Sequence, residues 1–238
     1  MTANRVERAS SKKRRKPLAL FIVPAVLVVV GVVLLFMLGG GTDSIPIIGD
    51  DGPDDTVPEF DFTTTKTTGI PTVSEFDKAA LAASAEQTGT EITPTIDDLF
   101  TNAFLDPTNW REGDYEEVFA AFAPAALPAA QENVETLTLG TTAGDVFEKV
   151  RPNKSNLKYR VLFDPDGNPD TAVVRFTFNA TGKRLDGTAL AIASSGQLFL
   201  QDLDGWKITA FDIVRSDTEA EVTVSTGASG GSGATGTS

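Results

Sequence analysis

The fold class that the sequence predicts is α+β: N-terminal helices packed on one face of a curved, four-stranded antiparallel sheet, preceded by one transmembrane helix. Three observations predict it. The apolar period changes from about 3.6 to 2 near residue 156. Three Asp-Gly pairs (Asp166-Gly167, Asp186-Gly187 and Asp204-Gly205) each separate two apolar runs in the second half of the chain. Near the start, the 22 residues from Pro17 to Leu38 carry no charge at all.

The N-terminal pattern comes first in chain order. Residues 1–16 hold seven basic side chains and one acid, so they carry +6, while the other 222 residues hold 13 basic and 32 acidic groups, or −19. A helix over Pro17–Leu38 spans roughly 30 Å, the hydrocarbon thickness of a bilayer. The cations before it, ending in Lys12-Lys13-Arg14-Arg15-Lys16, set a cytoplasmic N-terminus. A cleaved secretory signal is the rival, but such a signal has a shorter apolar run and a small-x-small site, where this run ends in Phe36-Met37-Leu38-Gly39. The expectation is therefore a single-pass plasma-membrane protein whose C-terminal bulk is extracytoplasmic.

Residues 39–92 read as an acidic, Thr- and Pro-rich linker, since few apolar residues recur in them with any period. Within it, Ser74 to Gln87 is Ala-rich and predicts one short helix. At the other end, residues 217–238 read as a disordered Gly/Ser/Thr tail.

Residues 93–216 are the expected folded domain. Thr93-Pro94 supplies a cap and a first-turn proline for a helix burying Ile96, Leu99, Phe100 and Phe104, which Asp106-Pro107 ends. Asp114 caps a second helix with Val118, Phe119 and Phe122 inward. Pro124 opens a third, in which Pro128 falls within the first turn or forces a break, and Asp145–Val150 predicts a further helical turn.

Alternation then takes over. Leu157, Tyr159, Val161 and Phe163 share one face, as do Val174, Phe176 and Phe178. Leu190 and Ile192 lead through Gly196, where a bulge is expected, to Leu198 and Leu200. Trp206, Ile208 and Ala210 complete the fourth strand.

The element order and the ending Gln201–Val214 (QDLDGWKITAFDIV) resemble the cone-shaped α+β fold of the nuclear transport factor 2-like superfamily, whose last hairpin often reads Asp-Gly-Trp-Lys/Arg-Ile; here that is Asp204-Gly205-Trp206-Lys207-Ile208. The whole plan of basic N-terminus, membrane helix, linker and such a domain resembles the membrane-anchored accessory proteins of actinobacteria associated with Mce lipid-uptake systems. The superfamily hosts isomerases, dehydratases, ligand binders and inert scaffolds, so the resemblance implies no one activity.

Composition narrows the chemistry. With no Cys and no His, disulfides, thiol nucleophiles, Cys-based metal centres and Ser-His-Asp catalysis are all excluded. Two catalytic candidates remain, and the isomerase-like members imply them: Asp212 as a base in the cone and Tyr159 as an oxyanion donor. Asp212 falls at even spacing after Trp206, Ile208 and Ala210, yet Phe211 and Ile213 at the odd positions leave open which face is inward. Asp164, Asp166 and Asn168 present oxygens at alternate positions, as a calcium loop does, but they also fit a plain hairpin loop. No cofactor is implied. Asn153-Lys154-Ser155 and Asn179-Ala180-Thr181 match the glycosylation pattern.

If the even positions of the last strand face the helices, Leu162, Val173, Phe199, Phe211 and Ile213 form an apolar patch on the outer face. The expected function is that of a membrane-anchored accessory or scaffold protein, not an enzyme, which binds another envelope protein or a second copy of itself through that patch. The alternatives are an apolar ligand (lipid or sterol) in the cone, or a His-free isomerase or dehydratase. Nucleic acid is not expected as a partner, because the folded part is acidic.

Overall fold

The computed structural model describes residues 56–72 and 76–219. The expected basic tail, the anchor at Pro17–Leu38 and the first part of the linker lie outside those residues, as does most of the C-terminal tail. Among the described residues no helix is long and apolar enough to cross a membrane.

The sheet has six strands and is mixed, which corrects the expectation of four antiparallel strands. β1 (Thr63–Pro71) comes from the segment read as linker and lies parallel to β3 (Asn156–Phe163). β3, β4 (Pro169–Arg184), β5 (Ala189–Asp202) and β6 (Trp206–Glu219) form an antiparallel meander. The sixth strand, β2 (Phe147–Pro152), replaces the helical turn expected there and pairs with the far half of β4, from Ala180 to Arg184. β2 and β3 thus share one side of a 16-residue β4. The break between them is stitched to β4 by side chains. Asn153 Nδ2 donates to Thr181 Oγ1 (2.9 Å), Asn179 Nδ2 to Lys154 O (3.0 Å), and Asn179 N to Ser155 Oγ (3.0 Å). The two glycosylation-like triplets face each other across this seam.

The helices also differ from expectation. α1 (Lys78–Phe100) is one 23-residue helix capped by Asp77, with Pro94 inside it rather than at its start. An internal proline costs about 3 kcal/mol. The buried stripe of Leu81, Ala85, Ile92, Ile96, Leu99 and Phe100 runs through it and outweighs that cost, at roughly 1.5–3 kcal/mol for each large side chain. A π-helical turn, Thr101–Leu105, follows, and Asp106 caps α2 (Pro107–Glu112) through Thr108 N (2.8 Å). Three shorter helices, α3 (Glu116–Phe119), α4 (Leu127–Glu132) and α5 (Val134–Leu137), complete the layer over the sheet.

The three Asp-Gly turns join the meander, with φ of 87° at Gly167, 84° at Gly187 and 107° at Gly205. Gly196 does not mark a bulge: β4 and β5 stay in register past it, and so does β6. Its role is close approach, since a Cβ there would meet Asp212 O at 2.1 Å. The bulge lies in β6 instead. Leu200 pairs with Ile208 but Phe199 with Ala210, so Thr209 is the extra residue and the faces of β6 exchange beyond it.

Aromatic rings fill the space between helices and sheet. Phe178 is fully buried and touches the rings of Phe60, Phe62, Phe100 and Phe104, at centroid distances of 4.8–6.3 Å. Two of these rings come from the segment just before β1. That segment is also held by Phe62 N, which donates to Asp97 Oδ1 on α1 (2.9 Å), and by Thr63 N, which donates to Ser155 O (3.1 Å).

Asp97 makes this attachment sensitive to pH. Burial pushes its pKa up to about 6; the Phe62 hydrogen bond acts the other way, and the charges of Asp61 and Asp98 add to the rise. The folded value exceeds the unfolded one, so the folded state binds more protons between the two. This group's contribution to stability is therefore greatest below about pH 4 and is lost as pH rises through 6. Asp97→Asn keeps an acceptor for Phe62 N and removes the titration. Allowing for its half-exposed position, the variant should be more stable by about 1–2 kcal/mol at pH 7.5 and equal to the parent near pH 4. Denaturant unfolding at both pH values measures that difference.

Candidate functional site

The space between helices and sheet is occupied by the protein's own side chains. Tyr159 sits there, 1% exposed, on the inner face with Leu157 and Val161. Its hydroxyl is 2.8 Å from Thr93 Oγ1, which itself donates to Gly89 O (2.7 Å). Tyr159 Oη is therefore the donor of that pair, and burial pushes its pKa up to about 12. The second buried tyrosine, Tyr115, donates to Gly140 O (2.9 Å), and burial likewise pushes its pKa up to about 12.

Asp212 does not join Tyr159. The Thr209 bulge turns it to the outer face, opposite Gln197, where it is exposed. The same bulge turns Phe211 and Ile213 inward, and Phe211 packs edge-on against Phe122 (5.7 Å). The patch expected on the outer face thus loses two of its five members. Leu162, Val173 and Phe199 stay together there, since Arg160 and Leu162 are two apart on β3 while Val173 lies between Arg160 and Phe199. Ile70 on β1, opposite Leu162, adds a member that could not be read without knowing β1. Ile70 is 41% exposed and Leu162 38%, enough for direct contact with a partner.

Asp164, Asp166 and Asn168 lie in the β3–β4 hairpin loop, and the loop uses the Asp164 oxygens itself. Asp164 Oδ1 accepts from Asp166 N (2.9 Å) and Asn168 N (2.8 Å), and Oδ2 accepts from Asn168 Nδ2 (3.2 Å). These bonds, led by those from Asn168, hold the Asp164 carboxyl below the usual range. Among the described residues no group of three or more acidic side chains is arranged to hold a metal ion.

Two features escaped the sequence reading. Arg215, turned inward by the bulge, donates Nη1 to Glu135 O (3.1 Å) and to Thr138 O, and pairs through two nitrogens with Asp217. It binds β6 to the C-terminal end of α5, where a cation is favoured by the helix dipole. The other is a set of cations on the outer face: Lys66, Lys158, Arg160 and Arg175, around a recess of about 300 Å3. Alternation alone placed Lys158 and Arg160 opposite the core face of β3. Lys66 was hidden because β1 has no alternating apolar pattern to announce it.

Comparison with protein-family models, with curated proteins and with solved structures found no match.

Proposed function

We propose that this chain is a membrane-anchored, extracytoplasmic accessory protein that binds another envelope protein through the outer face of its sheet. The observation that carries the reading is the contrast between the two faces. The inner face is filled by Phe60, Phe62, Phe100, Phe104, Phe176 and Phe178, while the outer face presents Ile70, Leu162, Val173 and Phe199 to solvent or only half-covered. A lipid or sterol would need the space that those phenylalanines occupy. A His-free isomerase would need Asp212 and Tyr159 on one face, and they lie on opposite ones. The anchor and the membrane location rest on the uncharged run Pro17–Leu38 and its preceding cations.

The test is quantitative cross-linking of the full chain in its own envelope. Leu162→Asp combined with Phe199→Asp should lower the yield of the main cross-linked partner at least tenfold, on the scale of a lost apolar contact centre, with unchanged far-ultraviolet circular dichroism. Asp212→Asn should leave that yield unaltered. Equal recovery by the double variant, or a stoichiometric apolar molecule without a phosphoryl group in native mass spectra of the parent, would refute the reading.

A further inference from the structure

We propose that the cation-lined recess on the outer face is a binding site for a phosphoryl-bearing anion. The register brings four cations from three strands side by side. Lys66 on β1 lies opposite Lys158 on β3, Lys158 lies opposite Arg175 on β4, and Arg160 is two residues further along β3. Thr68 and Val173, both opposite Arg160, Gln197, opposite Arg175, and Tyr159, between the two β3 cations, complete the lining.

Such a cluster is unfavourable when empty, because like charges facing each other across strands repel. It is also out of keeping with the chain's composition. Residues 17–238 carry 32 acidic side chains against 13 basic ones, so carboxylates are plentiful. Yet none lines this recess, and no ion pair joins any of the four cations to an acid among the described residues. In the same cross-strand row the next acid is Asp212, beyond Gln197 on β6. The four cations are exposed, so little desolvation cost opposes pairing. The geometry leaves their charge to be neutralised from outside.

The chemistry of the lining selects the anion. Two guanidinium groups and two ammonium groups supply donors with no acceptor of their own, and Thr68 adds a hydroxyl. A single carboxylate brings one charge and two oxygens. A phosphate monoester brings about −1.5 to −2 and three strong acceptors, and arginine forks match it in a two-bond geometry. Soluble phosphate compounds and the head group of phosphatidic acid both present such a terminal phosphoryl group.

The experiment uses the full chain in a non-ionic detergent, with thermal unfolding followed during titration against inorganic pyrophosphate and against dihexanoyl phosphatidic acid. Sodium chloride of matched ionic strength is the baseline. Ligand that binds only the folded state should raise the midpoint saturably, by several degrees at ligand well above its Kd. Lys158→Gln combined with Arg175→Gln should abolish the rise while leaving the ligand-free midpoint equal or higher, since a repulsion has been removed. Arg160→Gln alone should weaken binding severalfold and guards against a misfolded double variant. A response to pyrophosphate alone assigns the site to a soluble phosphate; a response to the lipid assigns it to a head group; each supports the proposal. It is overturned if neither ligand exceeds the salt baseline, if the double variant responds as the parent does, or if poly-L-glutamate raises the midpoint and neither phosphate does.

Discussion

A fragment that begins at Thr93 will not fold cooperatively, whereas one that begins at Thr56 will. The shorter fragment starts where the apolar periodicity becomes obvious, but it lacks Phe60, Phe62, β1 and the first 15 residues of α1, Leu81, Ala85 and Ile92 among them. Phe62, Leu81 and Ile92 are buried, and fully burying a side chain of this size contributes roughly 1.5–3 kcal/mol. With Phe60 half-buried beside them, their sum rivals the whole 5–15 kcal/mol by which a domain of ordinary stability stays folded. The edge of β3 would also be bare from Asn156 to Phe163. Near-ultraviolet circular dichroism and urea unfolding of fragments 56–219 and 93–216 separate the outcomes. A sharp, single transition in the shorter one would show that β1 is an accessory strand.

Gly196→Ala should be the most damaging single-methyl change in the protein. A Cβ at this position meets the Asp212 carbonyl oxygen at 2.1 Å and Ile213 Cα at 2.9 Å. Both are backbone atoms, so no rotamer relieves the clash and β6 must move away from β5. The expected loss is about 3 kcal/mol, the upper range for overpacking, which lowers the melting midpoint by roughly 6–12 °C. Gly187→Ala is the control. Its φ is 84° but no atom lies within 4 Å of the added methyl, so only the backbone preference is lost, about 1 kcal/mol. If the two variants melt together, the close approach at Gly196 is not what requires glycine there.

Legibility in the sequence followed how sharply each element divides its two faces. β3, β4 and β5 alternate core and solvent residue by residue, and Asp-Gly pairs end them, so they were readable. β1, Thr-Thr-Thr-Lys-Thr-Thr-Gly-Ile-Pro, has no buried residue, and its register is held by the backbone pairing with β3. A strand of that kind leaves no hydrophobic trace. β2 is six residues long with a buried lysine, Lys149, and Val150 inside it, a pattern equally suited to a helical turn. Pro94 looked like a helix start because the residues before it, Thr88 to Thr93, are mostly polar and small; their burial depends on the β1 and Tyr159 surfaces they meet. The inward face of β6 stayed open in the sequence for one reason. Thr209 adds a residue to β6, so the inward positions are even up to Ile208 and odd from Phe211 on, and no local signal at Thr209 marks the exchange. Three of the four outer cations lie in strands that were recognised, β3 and β4, and the fourth, Lys66, in β1, which was not.

The parallel pairing of β1 with β3 also sets an order of events during synthesis. Phe62 is made 116 positions before Phe178, the ring it ultimately packs on. At about 5–20 residues per second, that leaves Phe60 and Phe62 without their binding surface for roughly 6–23 s in each nascent chain. The β4–β5–β6 meander, joined by tight turns, closes from neighbouring segments, whereas β1 must wait for its partner and seal the layer last. Until then the growing chain displays two aromatic residues near its leading end, which makes that stretch the natural point of capture for a holding chaperone and the natural seed of aggregation when none is at hand.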